Sequence, residues 1–246
     1  MHNKHNNSIS HATIISLVDL TLLDDHSDKK AIQQLCDDAL KNPIAPTAAI
    51  CIFKSFIPHA KKTLASDMPI ATVANFPKGD GSIESVVAEV KQAVAIGADE
   101  IDIVIPYHDY LEKGQSQNAC QLVAVCKEAC QGKVLKVIIE SGALEQDALI
   151  YQASVDAINN GADFIKTSTG KSEKGGATLQ AVEVMLQAIA NTNNSVGLKV
   201  SGGVHTVSQA CEYIQKASEK MGQNYIHPST FRLGASRLLS NVIKEA

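Results

Sequence analysis

Short apolar runs alternate with stretches of helical periodicity along nearly the whole chain. Residues 14–19 read as a β-type run with Asp19 at its end, and Ser27 caps a helix predicted over 28–40. Runs at 47–52 and 70–76 flank a helical stretch through Lys62, and after Ser82 the residues Ile83, Val86, Val87, Val90 and Val94 keep helical spacing up to a stop at Gly97. A long helix predicted through Cys130 leads to a strand over 134–140, and a helix over 145–160 leads to a strand near 162–166. A helix from Thr178 to about Asn191 then leads to 196–200, and the last run, 230–233, precedes a final helix.

One phrase occurs twice. Gly97-Ala98-Asp99-Glu100-Ile101-Asp102 aligns without a gap on Gly161-Ala162-Asp163-Phe164-Ile165-Lys166, each glycine standing where a helix ends and a strand begins. Asp102 and Lys166 therefore hold equal positions on equivalent strands. Strand starts near 15, 47, 70, 99, 134, 162, 196 and 230 are spaced by roughly 30 residues, the size of a βαβ unit. Eight such units in one chain of this length predict a single (β/α)8 TIM barrel over 13–246, preceded by a polar tail at 1–12. An open doubly wound sheet would place a Gly-rich nucleotide turn after the first strand, where this chain has Asp19-Leu20-Thr21.

Composition narrows the partners. The 246 residues are 45% hydrophobic and 20% charged, and 22 Lys plus Arg against 26 Asp plus Glu give a net charge of -4 with both signs scattered. No basic stripe marks a nucleic-acid track, so the expected partner is a small molecule. The polar, His/Asn-rich start lacks the apolar core of a secretion signal, and no run approaches the ~18 apolar residues of a membrane span. A soluble, cytoplasmic protein is expected. The six cysteines show no metal-binding spacing and read as reduced thiols; only Cys51, near a strand end, is placed to face a site, with core packing its default role.

The chemistry centres on Lys166, which ends a buried-looking strand and runs into Thr167-Ser168-Thr169-Gly170-Lys171. A cation there must be paired, neutral or reacting, unless it snorkels to solvent. In a barrel, reacting groups gather at the C-terminal strand ends, and the fourth and sixth strands share an interior layer, which joins Asp102 to Lys166. Lys199 has the parity opposite to Val196, Leu198 and Val200, so it faces inward with Gly197. An amine of pKa ~10.4 is neutral in about one molecule in 2,500 at pH 7. A second ammonium about 5 Å away at an effective dielectric near 20 costs roughly 3 kcal/mol, or about 2.4 pKa units. One lysine then becomes a nucleophile for a carbonyl, giving a protonated imine that acts as an electron sink, with Asp102 relaying protons. The competing structural assignment is an internal salt-bridge network. Lys136, inward by parity but earlier on its strand, is expected deeper, in a structural role.

Loops after strands seven and eight commonly hold phosphate, and here they read Ser201-Gly202-Gly203-Val204 and Gly234-Ala235-Ser236, with Gly170 and Lys171 adding to them from the sixth. Gly170-Lys171-Ser172 is no P-loop, because that motif requires glycine where Ile165 stands.

These segments, with Asp19-Leu20-Thr21-Leu22-Leu23, Thr47-Ala48-Ala49-Ile50-Cys51-Ile52 and Lys136-Val137-Ile138-Ile139-Glu140, closely resemble the deoxyribose-phosphate aldolases, imine-forming class I aldolases on a TIM barrel. The resemblance spans about residues 17–240. It implies Lys166 as the imine-forming residue, Lys199 as the neighbour lowering its pKa and exchanging protons, and Asp102 as proton donor and acceptor. It further implies Asp19, Thr21, Gly170, Lys171, Gly202, Gly203, Gly234 and Ser236 as substrate-binding residues. The implied reaction is reversible cleavage of 2-deoxy-D-ribose 5-phosphate to D-glyceraldehyde 3-phosphate and acetaldehyde, with no metal or cofactor, in a possible homodimer. Departures from the pattern are His205, Arg237 and Val200, expected to affect phosphate affinity, and the lack of any tyrosine after Tyr225 where some relatives carry one in a mobile tail. Another imine-forming sugar-phosphate aldolase, a transaldolase-like barrel, or a non-catalytic sugar-phosphate-binding barrel are the alternatives.

Overall fold

A computed structural model of the protein describes residues 9–64 and 68–246. Eight parallel strands close into a barrel in sequence order: β1 Val18–Leu22, β2 Ala49–Ile52, β3 Ile70–Ala74, β4 Glu100–Val104, β5 Val134–Ile138, β6 Phe164–Lys166, β7 Gly197–Ser201 and β8 Phe231–Ala235. The chain is thus a single (β/α)8 TIM barrel. Helices follow the strands, and among the described residues none is long and apolar enough to cross a membrane.

Most predicted boundaries fall within a few residues of the observed ones, with three corrections. Ile14 and Ile15 belong not to a strand but to the helix His11–Ser16, which Ser10 caps by accepting from the Thr13 amide. Of the tail expected over 1–12, residues 1–8 lie outside the described residues and His11 and Ala12 open this helix. Asp28 rather than Ser27 caps the helix Lys29–Lys41. The long helix expected through Cys130 is two, Tyr107–Lys113 and Gln117–Ala129, parted where Gly114 turns left-handed at φ 73°.

Alternation along each strand divides the barrel wall. Ile101, Ile103, Leu135, Val137, Ile165, Leu198, Val200, Phe231 and Leu233 join the large core shared with the helices. The opposite parity faces the barrel axis. Strand tilt offsets alternate strands by two residues, which is what stacks the interior in layers of four. From the register, Ala49, Glu100, Phe164 and Arg232 form the lowest layer, and Asp19, Ala71, Lys136 and Lys199 the next. Above them lie Cys51, Asp102, Lys166 and Gly234, then Thr21, Val73, Ile138 and Ser201. Cys51, Ala71, Val73 and Leu23 make a small apolar cluster, with Phe53 and Phe76 packed on it, so the interior is apolar at β2 and β3, while its charged side chains come from the other strands.

The repeated Gly-Ala-Asp phrase builds the lower rim. Asp99 accepts from the Ile70 amide at 3.2 Å and from Lys133 at 3.1 Å; Asp163 accepts from the Leu135 amide at 2.7 Å and pairs with Lys127 at 2.5 Å. Gly97 is required by its φ of 104°, and a side chain there would strike Lys61, which lies across it. Each aspartate pins the start of its strand to the preceding one. Asp102 and Lys166 are placed three residues further on by this common anchor.

Candidate active site

Asp102 is the hub of the interior. Its Oδ2 accepts from Lys166 Nζ at 2.7 Å and Lys199 Nζ at 2.9 Å, and its Oδ1 from Lys136 Nζ at 2.9 Å. Asp102, Lys136 and Lys199 are fully buried and Lys166 is 4% exposed. The expected layer-sharing of Asp102 and Lys166 is present, with Lys199 and Lys136 one layer below.

The ion pairs continue downward and close on themselves. Lys136 pairs with Glu100 Oε2 at 2.5 Å, and Glu100 Oε1 accepts from Arg232 Nη2 at 3.0 Å. Arg232 Nη1 donates to Asp19 Oδ1 at 2.5 Å, and Asp19 Oδ2 pairs with Lys199 at 2.5 Å. Asp102, Lys136, Glu100, Arg232, Asp19 and Lys199 therefore alternate in charge around a closed ring. Lys166 hangs outside it, sharing an Asp102 oxygen that Lys199 already uses.

Electrostatics follows from this arrangement. Burial favours the neutral form of every lysine here. For Lys199 that pull is outweighed by Asp102 and Asp19, which hold its ammonium well above the ordinary lysine value. For Lys136 it is outweighed by Asp102 and Glu100. For Lys166 burial wins: Asp102 opposes it, but Lys199 adds repulsion, and the amine is drawn below its ordinary value. Burial raises the Asp102 carboxyl, yet Lys136, Lys166 and Lys199 together keep it far below the carboxylate range. The site thus combines an amine whose pKa is drawn down by burial with a carboxylate whose pKa is held down by three cations beside it.

Lys166 opens into a cavity of ≈ 180 Å³ lined also by Thr21, Leu23, Thr169, Gly170, Lys171, Ser201–Val204, His205 and Gly234–Ser236. Gly170, Gly202 and Gly203 have φ of 74°, 86° and 93°. Gly176 lets the sixth loop cross the seventh, since a Cβ there would lie 2.0 Å from the Gly202 carbonyl oxygen. At Gly234 a Cβ would come within 2.9 Å of Lys199 Cε, so this layer is left open above the ammonium. Helix Leu238–Glu245 starts two residues after Ser236 of the cavity lining and has no side-chain cap.

Of the residues expected to bind substrate, the structure brings Thr21, Gly170, Lys171, Gly202, Gly203, Gly234 and Ser236 to this cavity. Asp19 it does not. That residue stands near the start of β1 rather than at its end, is fully buried, and is spent on Lys199 and Arg232. Its strand reaches the cavity through Thr21. Val200 faces the helix-side core, away from the cavity, while His205 lines it. Cys51 shares the Lys166 layer, and burial pushes its thiol up.

Three participants were missed as such. Glu100 and Arg232 share the inward parity but sit at the N-terminal strand ends, where no reacting group was sought. Glu140, buried at φ 53° just after β5, accepts from the Thr169 amide at 3.1 Å and so braces the loop that follows Lys166. Its signal was adjacency to a strand end; burial pushes its carboxyl up.

Comparison with known proteins gives a consistent picture. The model of the DeoC/LacD family of aldolases matches residues 13–236. A protein from Coccidioides immitis, provisionally assigned as a deoxyribose-phosphate aldolase, is 25% identical with a TM-score of 0.84, over 96% of this chain and 87% of that one. One from Toxoplasma gondii with the same provisional assignment is 24% identical, TM-score 0.83, over 96% and 92%. The deoxyribose phosphate aldolase of Aeropyrum pernix, a tetramer, is 21% identical, TM-score 0.77, over 96% and 92%. The last two are likenesses of fold.

Proposed function

Because the chain belongs to the DeoC/LacD family of aldolases, we propose that it cleaves 2-deoxy-D-ribose 5-phosphate reversibly to D-glyceraldehyde 3-phosphate and acetaldehyde through an imine on Lys166. The observation that carries this reading is the single surplus amine, Lys166, bonded to Asp102 at 2.7 Å and facing a glycine-lined cavity.

The neutral Lys166 amine adds to the C1 aldehyde, forming a carbon–nitrogen bond and a carbinolamine. Loss of its hydroxyl as water, with a proton relayed through Asp102 and water, gives the protonated imine. The C3 hydroxyl then gives up its proton, its oxygen becomes the carbonyl of glyceraldehyde 3-phosphate, and the C2–C3 electron pair moves into the imine. The enamine left on Lys166 takes a proton at carbon, and water releases acetaldehyde. Lys199, still an ammonium, supplies positive potential that disfavours protonation of Lys166 before attack. Phosphate is assigned to the amides of Gly170, Gly202, Gly203, Gly234 and Ser236 with the Lys171 ammonium, at the uncapped helix start.

Incubation with 2-deoxyribose 5-phosphate should release acetaldehyde, and acetaldehyde with glyceraldehyde 3-phosphate should be condensed in reverse. Turnover with dihydroxyacetone donors but none with acetaldehyde would reassign the substrate. Binding of deoxyribose 5-phosphate in calorimetry with no turnover would make this a silent sugar-phosphate barrel.

A further inference from the structure

We propose that Glu100, Arg232 and Lys136, none of which lines the cavity, are positioning residues that make Lys166 the reactive amine by closing a charge-neutral ring beneath it. This rests on the reading of Lys166 as the imine-forming residue.

The inference starts from which oxygens are occupied. In the ring, three carboxylates face three cations, and each carboxylate divides its two oxygens between its two neighbours. Arg232 is the member that cannot be deprotonated. Fixed by Asp19 at one hand and Glu100 at the other, with Nε donating to the Pro228 carbonyl and the guanidinium 5.8 Å from the Phe164 ring centroid, it sets the arrangement from the barrel floor. Glu100 holds one end of Lys136, whose ammonium takes Asp102 Oδ1. Asp19 holds Lys199, which takes Oδ2. Asp102 is therefore fully neutralised before Lys166 is counted. A fourth cation, the Lys166 ammonium, would leave one net positive charge in a water-poor interior, which is costly. Shedding a proton removes that charge, and of the three lysines only Lys166 is ion-paired to a single carboxylate.

The other groups that act on Lys166 do not alter this. Asp102 reaches it from β4, Lys199 from β7, the Cys51 thiol from β2 and the Glu140 carboxyl from the end of β5. Lys171 of its own loop is exposed. The ring decides how much of the Asp102 charge is left over.

Opposite signs make the test discriminating. Lys136→Met removes a competitor for Asp102, so the carboxylate is freed to hold the Lys166 ammonium. The acid limb of kcat/KM, and of the rate of borohydride trapping with acetaldehyde, should move up by about 1 pH unit. Glu100→Gln leaves Lys136 to Asp102, with Asp19 Oδ2 more distant at 3.7 Å, and removes a negative charge below, so the same limb should move down, by roughly half a unit. The double variant, which restores ring neutrality, should fall between the singles, and Lys136→Arg should keep the parent limb. If one single variant does not fold, the double compared with the other single still reads the sign of each substitution. Limbs that stay put, or that shift in the same direction for both substitutions, would overturn the proposal. Loss of trapping in the parent protein itself would instead overturn the imine reading on which it rests.

Discussion

Lys166→Met is expected to leave a folded protein whose kcat is lower by roughly 10⁵–10⁶-fold, the scale of losing a covalent nucleophile. The same substitution should not destabilise. Lys166 carries a folded-state pKa below its ordinary 10.5, so folding requires a proton to leave or a charge to be buried. By linkage that cost is fully present below the folded pKa and fades as pH rises toward 10.5, because there the unfolded lysine also loses its proton. Methionine has no such cost, so its melting temperature at pH 7 should equal or exceed that of the parent, with the difference shrinking in alkali. Lys136→Met should behave oppositely, since it strips a ring cation from buried Glu100 and Asp102 and costs about 3–5 kcal/mol. Thermal melts from pH 6 to pH 10 alongside turnover separate the two. A Lys166→Met protein as damaged in stability as Lys136→Met would mark Lys166 as one more structural ion-pair partner.

The second large effect is at Asp102. Asp102→Asn leaves Lys136, Lys166 and Lys199 around a group that no longer carries charge. Stability should fall by about 3–5 kcal/mol, the cost of breaking a buried pair by removing one partner. Turnover should fall by about 10²–10⁴-fold, as for loss of a positioned acid–base group. The Lys166 amine itself should be at least as neutral as before, because the carboxylate opposing that state is gone. The damage therefore lies in proton relay, and the acid limb should not move up. The sign of the pH dependence follows from the depressed Asp102 pKa. Its stabilisation is present above the ordinary carboxyl value of 3.8 and is lost as pH falls through the folded value, so the gap between parent and variant should be constant above about pH 5 and narrow in stronger acid. A variant equal to the parent in both turnover and melting would remove Asp102 from the centre of the site.

Much of this was legible in the chain because two periodicities coincide. Strict alternation on β4, β5 and β7 separated Ile101, Val137 and Leu198 from Asp102, Lys136 and Lys199, and the duplicated Gly-Ala-Asp phrase fixed the level of Asp102 against Lys166. Residues 14–15 were misread because two isoleucines before a strand look the same whether they end a helix or begin a sheet. Asp19 was misplaced by the same error, since starting the strand early moved it to the far end. An internal salt-bridge network of Asp102 and the lysines was legible, but the closure of the ring through Glu100, Arg232 and Asp19 was not. Its closure requires Arg232 on β8 to reach both Asp19 on β1 and Glu100 on β4 across the axis, and that depends on barrel tilt and on the small residues Ala49 and Ala71 leaving room. Neither is a local property of sequence.

Reduction of the imine tests the central claim most directly. The protein is incubated with acetaldehyde and borohydride at pH 7, digested and mapped by mass spectrometry, with Lys166→Met alongside. A two-carbon adduct on the peptide bearing Lys166, with parallel loss of activity and no adduct in the variant, is the predicted result. Active protein that remains unmodified at Lys166, or that carries the adduct on Lys199 or Lys171 instead, would contradict it.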